Sequence, residues 1–343
     1  MEYTNLGLSG LKVSKLVLGT MGFGDPELQP WVLDEEHTLP ILKHAYDQGI
    51  TTWDTANLYC HGESERIIGK AIQKYSLRRE SLVIMSKCYF GVQDRAADAA
   101  RHDAPTTVNR SGLSRKHILD AVEASVARLG TYIDVLQIHR LDLDTPAEEI
   151  MRALNDVVDR GWVRYLGACS MSTWQFQHLQ HVAEQRGWPR FISMQGHHAL
   201  LYREEEREMI PYCRFSGVGF MSWAPLAKGV LARPWTHRNS HRELNDRHVA
   251  SRRTGERDTD KAIVDRVEEI AQKHGVSMAC VATAWTMASG DIPIVGLASI
   301  DRIDEAVANA KFRLPEDDVK YLEELYLPVA VTSHDVVKVW RSR

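Results

Sequence analysis

Thr51-Thr52-Trp53-Asp54-Thr55-Ala56-Asn57-Leu58-Tyr59 runs from a β-branched and aromatic stretch into a carboxylate and, five residues later, a tyrosine. Thr and Trp favour extended backbone, so the stretch reads as a short strand that stops on a charge. The pattern recurs. Leu82-Val83-Ile84-Met85 is followed closely by Lys87, and Ile133-Asp134-Val135-Leu136-Gln137-Ile138 directly by His139. Polar chemistry gathered just past the C-terminal ends of short apolar strands is where a parallel α/β barrel keeps its active site.

Reading outward, eight such strands are expected: 16–19, 51–54, 82–86, 133–138, 163–168, 191–195, 218–223 and 292–296. Amphipathic stretches fall between them. Leu39, Leu42 and Ala45 repeat at helical spacing in 36–48, and Ile67, Ile68, Ala71 and Ile72 do so in 63–75. Ile118, Ala121, Val122, Ser125 and Leu129 repeat in 114–129, with Ser114 placed to cap that helix. Further helices are expected at 146–160, 172–185, 204–215, 260–274 and 301–310. Eight strand–helix units predict a closed (β/α)8 TIM barrel in one domain, residues 1–343, rather than a doubly wound sheet. No G-x-G-x-x-G opens a βα unit, which argues against a Rossmann dehydrogenase. Residues 1–14 read as a hairpin turning at Ser9-Gly10 that plugs the N-terminal end of the barrel. Residues 91–112 and 227–258 are long, irregular βα loops, and loops of that length are usually functional or disordered.

The residues at the strand ends make a proton-delivery set. A tyrosine works as a general acid near neutral pH if its pKa is drawn down from ~10. A lysine ammonium beside the phenol does this, and an aspartate holds the lysine in place. Tyr59, Lys87 and Asp54 supply the three groups, and His139 a further hydrogen-bond donor. The pair His197-His198 is a poor metal site, because neighbours on a strand point to opposite faces. No metal is expected.

Bulk properties narrow the class. The net charge is -4 and the pI about 6.4, so no global field draws the chain to nucleic acid or anionic lipid. The basic cluster of the second long loop (Arg233, His237, Arg238, Arg242, Arg247, His248, Arg252, Arg253) is interleaved with Glu243, Asp246, Glu256 and Asp258, which reads as a solvated lid. Five cysteines without metal spacing, no leader-like start and no apolar run near ~18 residues point to a reduced, cytoplasmic protein. Cys60, Cys88 and Cys169 fall near strand ends, as small pocket-lining groups. The sequence is silent on oligomeric state.

In order along the chain, Leu18-Gly19-Thr20-Met21, Trp53-Asp54-Thr55-Ala56-Asn57-Leu58-Tyr59, Gly62-Glu63-Ser64-Glu65, Met85-Ser86-Lys87, Gln137-Ile138-His139-Arg140 and Leu201-Tyr202-Arg203-Glu204-Glu205-Glu206-Arg207-Glu208 resemble the aldo-keto reductase superfamily over nearly the whole chain. Residues 109–117, Asn-Arg-Ser-Gly-Leu-Ser-Arg-Lys-His, resemble a branch rich in fungal secondary-metabolism reductases. The resemblance implies reduction of an aldehyde or ketone by NADP(H). Tyr59 would donate the proton, Lys87 and Asp54 would tune it, and His139 would orient the carbonyl. Gly19, Thr20 and Met21 would line the cofactor channel. Ser170 and Gln195 would bind the carboxamide, and Trp223 would stack on the nicotinamide. Ala224, Pro225 and Leu226 would follow the pyrophosphate, and Gly296, Leu297, Ser299, Arg302 and Glu305 would hold the adenosine end.

Four departures from the family pattern stand out. Met171 replaces an Asn after the serine. Gly196 and His198 replace an Asn and a Tyr, and are expected to reshape the pocket wall. Leu297-Ala298-Ser299 lacks a Lys, leaving Arg302 as the 2′-phosphate clamp and favouring NADP(H) over NAD(H). Trp31, Tyr89, Phe90 and Trp235 are candidate aromatic walls for a flat, polyketide-like or aromatic carbonyl substrate. The superfamily also contains cofactor-binding regulatory subunits of potassium channels, so a scaffold protein with little turnover is the alternative function.

Overall fold

In a computed structural model of the chain, which describes residues 1–92, 108–237, 241–246, 257–332 and 334, eight parallel strands close on themselves in the order β10-β3-β4-β5-β6-β7-β8-β9. They are β3 (Val17–Gly19), β4 (Thr52–Asp54), β5 (Val83–Cys88), β6 (Ile133–Ile138), β7 (Val163–Cys169), β8 (Phe191–His197), β9 (Gly219–Trp223) and β10 (Ile292–Val295). All eight coincide with the expected runs to within two residues. The first two strands, β1 (Tyr3–Asn5) and β2 (Lys12–Ser14), pair antiparallel as the expected hairpin.

Alternation along the strands sorts the side chains. Trp53, Ile84, Leu136, Ile138, Leu166, Phe191 and Met194 face outward into the large core under the helices. Val17, Val83, Met85, Val135, Met221, Ile292 and Ile294 fill the lower interior, and Leu6 and Val13 of the hairpin cap them from below. The tip seats tightly: Leu8 N–H donates to the Gly217 carbonyl at 2.8 Å. Gly7 has φ +60, and a Cβ there would lie 2.4 Å from that same carbonyl oxygen, so only glycine fits. One step higher inside the barrel the apolar layer gives way to Asp54, Lys87, Gln137 and Gln195, all buried. The barrel is therefore dry below and polar at its C-terminal rim.

The outer layer comprises α1 (Glu35–Asp47), α2 (Glu63–Lys74), α3 (Arg115–Leu129), α4 (Ala147–Asp159), α5 (Thr173–Arg186) and α6 (Met209–Ser216), the short α7 (His241–Asn245), then α8 (Asp258–His274), α9 (Met278–Ala288), α10 (Ile300–Ala308) and α11 (Glu316–Glu323). Ser114 caps α3 as expected, its side chain accepting from His117 N–H. The expected helix over 204–215 is broken into a 3-10 turn, Glu204–Glu206, and α6. Three of the described helices were not anticipated: the short α7 inside the second long loop, α9 and α11. α9 packs against β10 as the crossover between the last two strands, while 260–274, expected in that role, packs as α8 outside it with α11. Ile263, Val264, Val267, Met278, Val281, Trp285 and Leu322 form the separate core between these three helices. Most of 91–112, and residues 238–240 and 247–256 of the second long loop, lie outside the described residues.

Candidate active site

β4 ends on Asp54, β5 carries Lys87 one residue before its end, and His139 follows β6; parallel pairing in register brings these ends to one rim. Tyr59 arrives from the loop after β4. Lys87 is fully buried and its ammonium donates to three oxygens. These are Asp54 Oδ2 at 2.5 Å, the Thr55 carbonyl at 3.0 Å and the Tyr59 hydroxyl at 3.1 Å. The backbone after Tyr59 is strained: Cys60 and His61 both have left-handed φ, at 48° and 53°, before Gly62. Such conformations cost of order 1–3 kcal/mol each and persist where the surroundings fix them. Here the Asp25 N–H donates to Cys60 Sγ at 3.0 Å and clamps the turn to the loop after β3.

The other face of Asp54 is held by amides that the sequence reading gave no joint role. Gln137 Nε2 and Gln195 Nε2 each donate to Asp54 Oδ1 at 2.9 Å, and Gln195 also donates to Gln137 Oε1 at 2.9 Å. Gln137 was findable: it lies two residues before His139 and so on the same face of β6. The His139 ring meets Tyr59 edge-on at 6.1 Å between centroids and Phe90 edge-on at 5.2 Å. His139 Nδ1 is buried without a hydrogen-bond partner among the described residues.

The electrostatics correct one expectation. Burial raises the Tyr59 pKa above its ordinary value, and the opposing pull of Lys87 does not overcome it. Burial disfavours the Lys87 ammonium, but Asp54 outweighs this and holds the lysine charged. Burial, then Lys87 and Arg140, push His139 well below its ordinary value. The resting set is thus a neutral phenol, a lysinium paired with a carboxylate, and a neutral imidazole. Lys87 lowers the Tyr59 pKa, as expected, but by less than burial raises it.

At the opposite wall, Trp223 donates its indole N–H to Ser170 Oγ at 3.1 Å, and Ser170 sits in a left-handed turn (φ 48°) after β7. Ala224 is also left-handed (φ 52°), starting the Ala224-Pro225-Leu226 turn. Pro225 is buried, Ala224 and Leu226 half-buried. Gly19 abuts Ile294, and Met21 is exposed at the rim. The Thr20 hydroxyl is engaged with the Asp54 carbonyl (3.0 Å) and Ser64 (2.9 Å). After β10, Gly296 has open space where a side chain would stand, and Leu297 turns into the core. Ser299 caps α10, accepting from Arg302 N–H at 3.3 Å; Arg302 and Glu305 are exposed on that helix.

Gly196 and His198 do not reshape the pocket wall. Gln195 and His197 face inward on β8, so both substituted positions face out. A Cβ on Gly196 would collide with Phe220. His198 is buried between Asp291 Oδ2 (2.6 Å) and Glu206 Oε1 (2.8 Å), beneath Trp285. Met171 likewise turns into the outer core. Trp235 packs on the second core, Trp31 lies under the Arg242 guanidinium at 4.4 Å, and Phe90 meets the catalytic candidate His139. No group of three His, Cys, Asp or Glu side chains able to hold a metal occurs among the described residues.

Residues 15–327 match the Aldo/keto reductase family. The chain belongs to that family. It is 57% identical over 338 residues to versiconal hemiacetal acetate reductase of Aspergillus parasiticus, covering 96% of this chain and 98% of that protein. It is 52% identical over 341 residues to a Schizosaccharomyces pombe protein assigned as an aryl-alcohol dehydrogenase, covering 96% and 97%. It is 48% identical over 346 residues to an aldo-keto reductase of Metarhizium robertsii, covering 97% and 93%. Family membership makes the chain an oxidoreductase of carbonyl groups and implies a nicotinamide cofactor. The residues fit such a group. Trp223 has one ring face covered and is only half-buried, Gly296 leaves open space, and α10 offers an N-terminus with Arg302 beside it, a natural seat for a phosphate. Ser170, Trp223, the turn at Ala224 and the start of α10 are the residues that could hold it. No helix among the described residues is long and apolar enough to cross a membrane.

Proposed function

We propose that this chain is an NADPH-dependent reductase of aldehydes and ketones, acting on flat aromatic or polyketide-like carbonyl compounds. The observation that carries the reading is the Tyr59 hydroxyl held 3.1 Å from a buried lysinium whose counter-ion is Asp54. NADPH, when bound, supplies hydride to the carbonyl carbon. Tyr59 donates its phenolic proton to the carbonyl oxygen as negative charge gathers there. The Lys87 ammonium stabilises the phenolate left behind, an interaction stronger in the transition state than in the resting enzyme. Neutral His139 donates a second hydrogen bond to the same oxygen and fixes its direction. Asp54, fastened by Gln137 and Gln195, keeps Lys87 charged and aimed.

Phe90 beside His139 supports a flat, apolar substrate, as do the names of the similar proteins. Arg302 at the start of α10 supports NADPH over NADH. We take the functional unit to be one barrel domain, residues 1–343, working in the cytoplasm without nucleic-acid or membrane partners.

The test is steady-state oxidation of NADPH with a nitrobenzaldehyde, run beside a single-turnover trace and with EDTA present. Many turnovers, indifferent to EDTA, are expected. One equivalent oxidised quickly, followed by a stall across a whole carbonyl panel, would replace this reading with a cofactor-binding regulatory subunit.

A further inference from the structure

His197 lies between two aromatic rings. Its imidazole stacks on Trp223 at 4.1 Å between centroids and 9° between planes, and on Tyr202 at 4.2 Å and 15°. Three rings therefore run parallel along the rim. The register explains the first contact: His197 and Trp223 are paired residues on β8 and β9, each the last residue of its strand. The second is set by the tight turn after β8, where Ala199 and Tyr202 exchange backbone hydrogen bonds and fold Tyr202 back over His197. Tyr202 is itself anchored, its hydroxyl accepting from Thr332 N–H at 3.3 Å. His197 is 6% exposed, so water does not compete for its faces.

The stack has a mechanical consequence. Trp223 is fixed at two places: its indole N–H on Ser170 and one ring face on His197. A flat ring has two faces. With one covered, any further ring stacking on Trp223 must use the other, at an angle set by the imidazole behind it. Take away the planar backing and the indole can tilt about the Ser170 hydrogen bond.

We propose that His197 is a positioning residue for the cofactor: the Tyr202–His197 stack sets the plane of Trp223, and through it the nicotinamide ring. This rests on the reading that a nicotinamide dinucleotide binds at this rim. His197 does not touch the reacting atoms. It acts through Trp223, and the chemistry it requires is a planar π surface rather than a charge or a proton.

The experiment is equilibrium binding by calorimetry to wild type, His197→Leu and His197→Phe, with two ligands. One is NADP⁺. The other is 2′-phospho-ADP-ribose, which keeps the adenosine, phosphates and ribose but lacks the nicotinamide. Leu removes the plane at similar bulk; Phe restores it without the ring nitrogens. His197→Leu is expected to weaken NADP⁺ about three- to tenfold, the scale of one aromatic stacking contact, and to leave 2′-phospho-ADP-ribose unchanged. His197→Phe is expected to recover most of the NADP⁺ affinity. Equal weakening of both ligands by Leu would make the role merely structural and overturn the proposal. Unchanged NADP⁺ affinity would overturn it too, as would a Phe variant as weak as Leu. A misfolded Leu variant leaves the Phe variant to decide, since NADP⁺ binding well below wild type there contradicts a planar-surface role. Failure of the underlying reading looks different: wild type itself would bind neither NADP⁺ nor NAD⁺.

Discussion

The Lys87 ammonium stands 3.1 Å from the Tyr59 hydroxyl oxygen and 2.5 Å from Asp54 Oδ2, so one buried cation links the proposed proton donor to a buried carboxylate. Tyr59→Phe deletes the donor and leaves the ring. Dinucleotide binding is expected to stay within about twofold of wild type, while kcat falls by ~10²-fold or more, the scale of a lost general acid. Retained kcat with a raised KM would remove Tyr59 from the chemistry.

Lys87 and Asp54 separate by what each removal leaves behind. Lys87→Met deletes the charge that stabilises the phenolate, and most turnover should go. Asp54→Asn keeps a hydrogen-bonding side chain between Gln137, Gln195 and Lys87, so the loss should be smaller. Both break a buried ion pair, which costs about 3–5 kcal/mol when one partner remains charged. The double variant should therefore melt higher than Lys87→Met alone while staying inactive. A larger kinetic loss from the Asp change than from the Lys change would give Asp54 a direct chemical role.

His198 predicts an alkaline loss of stability. Burial opposes its charge, but Asp291 and Glu206 outweigh burial and raise its pKa from 6.5 to about 9. A group raised in the folded state contributes stability fully below its unfolded value and loses it as pH rises through the folded value. Glu206, pushed from 4.5 to about 2 mainly by His198 and Arg203 against burial, works in the opposite sense. Its contribution is present above the unfolded value and is lost as pH falls through the folded one. The melting temperature should therefore be highest between about pH 4.5 and 6.5, and decline from there towards pH 9. In His198→Phe that alkaline decline should flatten. An unchanged slope would mean that other groups cause it.

How much of this was legible in the sequence depended on which signal an element carried. The eight strands were readable because each is a short apolar run bounded by polar residues. The catalytic candidates were readable because they follow those runs. Helix α9, Met278–Ala288, was missed because it is apolar on nearly every side and shows no polar face to mark its period. Helix α11 is short and packs on α8 rather than on the barrel, so no strand follows to call for it. Gly196 and His198 were misplaced for a different reason. Once Gln195 faces inward, alternation sends 196 and 198 outward, so strand geometry, and not the family pattern, decides where they point. The neutral state of Tyr59 could not be read at all, since burial and Lys87 act in opposite directions and only their distances decide.

Cofactor choice turns on the start of α10. Arg302 is exposed one turn into a helix that Ser299 caps. If it grips a 2′-phosphate, Arg302→Ala should weaken NADPH by ~1.5–3 kcal/mol, about ten- to a hundredfold, and NADH hardly at all. Equal weakening of the two, or a wild type that prefers NADH, would refute the clamp.

The pH profile of reduction tests the protonation states together. Burial raises Tyr59 and only partly yields to Lys87, so the phenol keeps its proton through neutrality and past the ordinary tyrosine value of ~10. His139 is driven far down by burial, Lys87 and Arg140, so it stays neutral over the same range. Neither group titrates between about pH 6 and 9. For reduction, kcat/KM should be flat there, with a single falling limb at high pH as Tyr59 ionises. An inflection near pH 6.5 that disappears in His139→Asn would show a titrating histidine and contradict its neutral role. An alkaline limb well below 10 that moves upward in Lys87→Met, measured on whatever activity remains, would show that Lys87 prevails over burial. In that case Tyr59 would be partly ionised at rest, and the lysine would tune the acid before the substrate arrives rather than catch the charge as it forms.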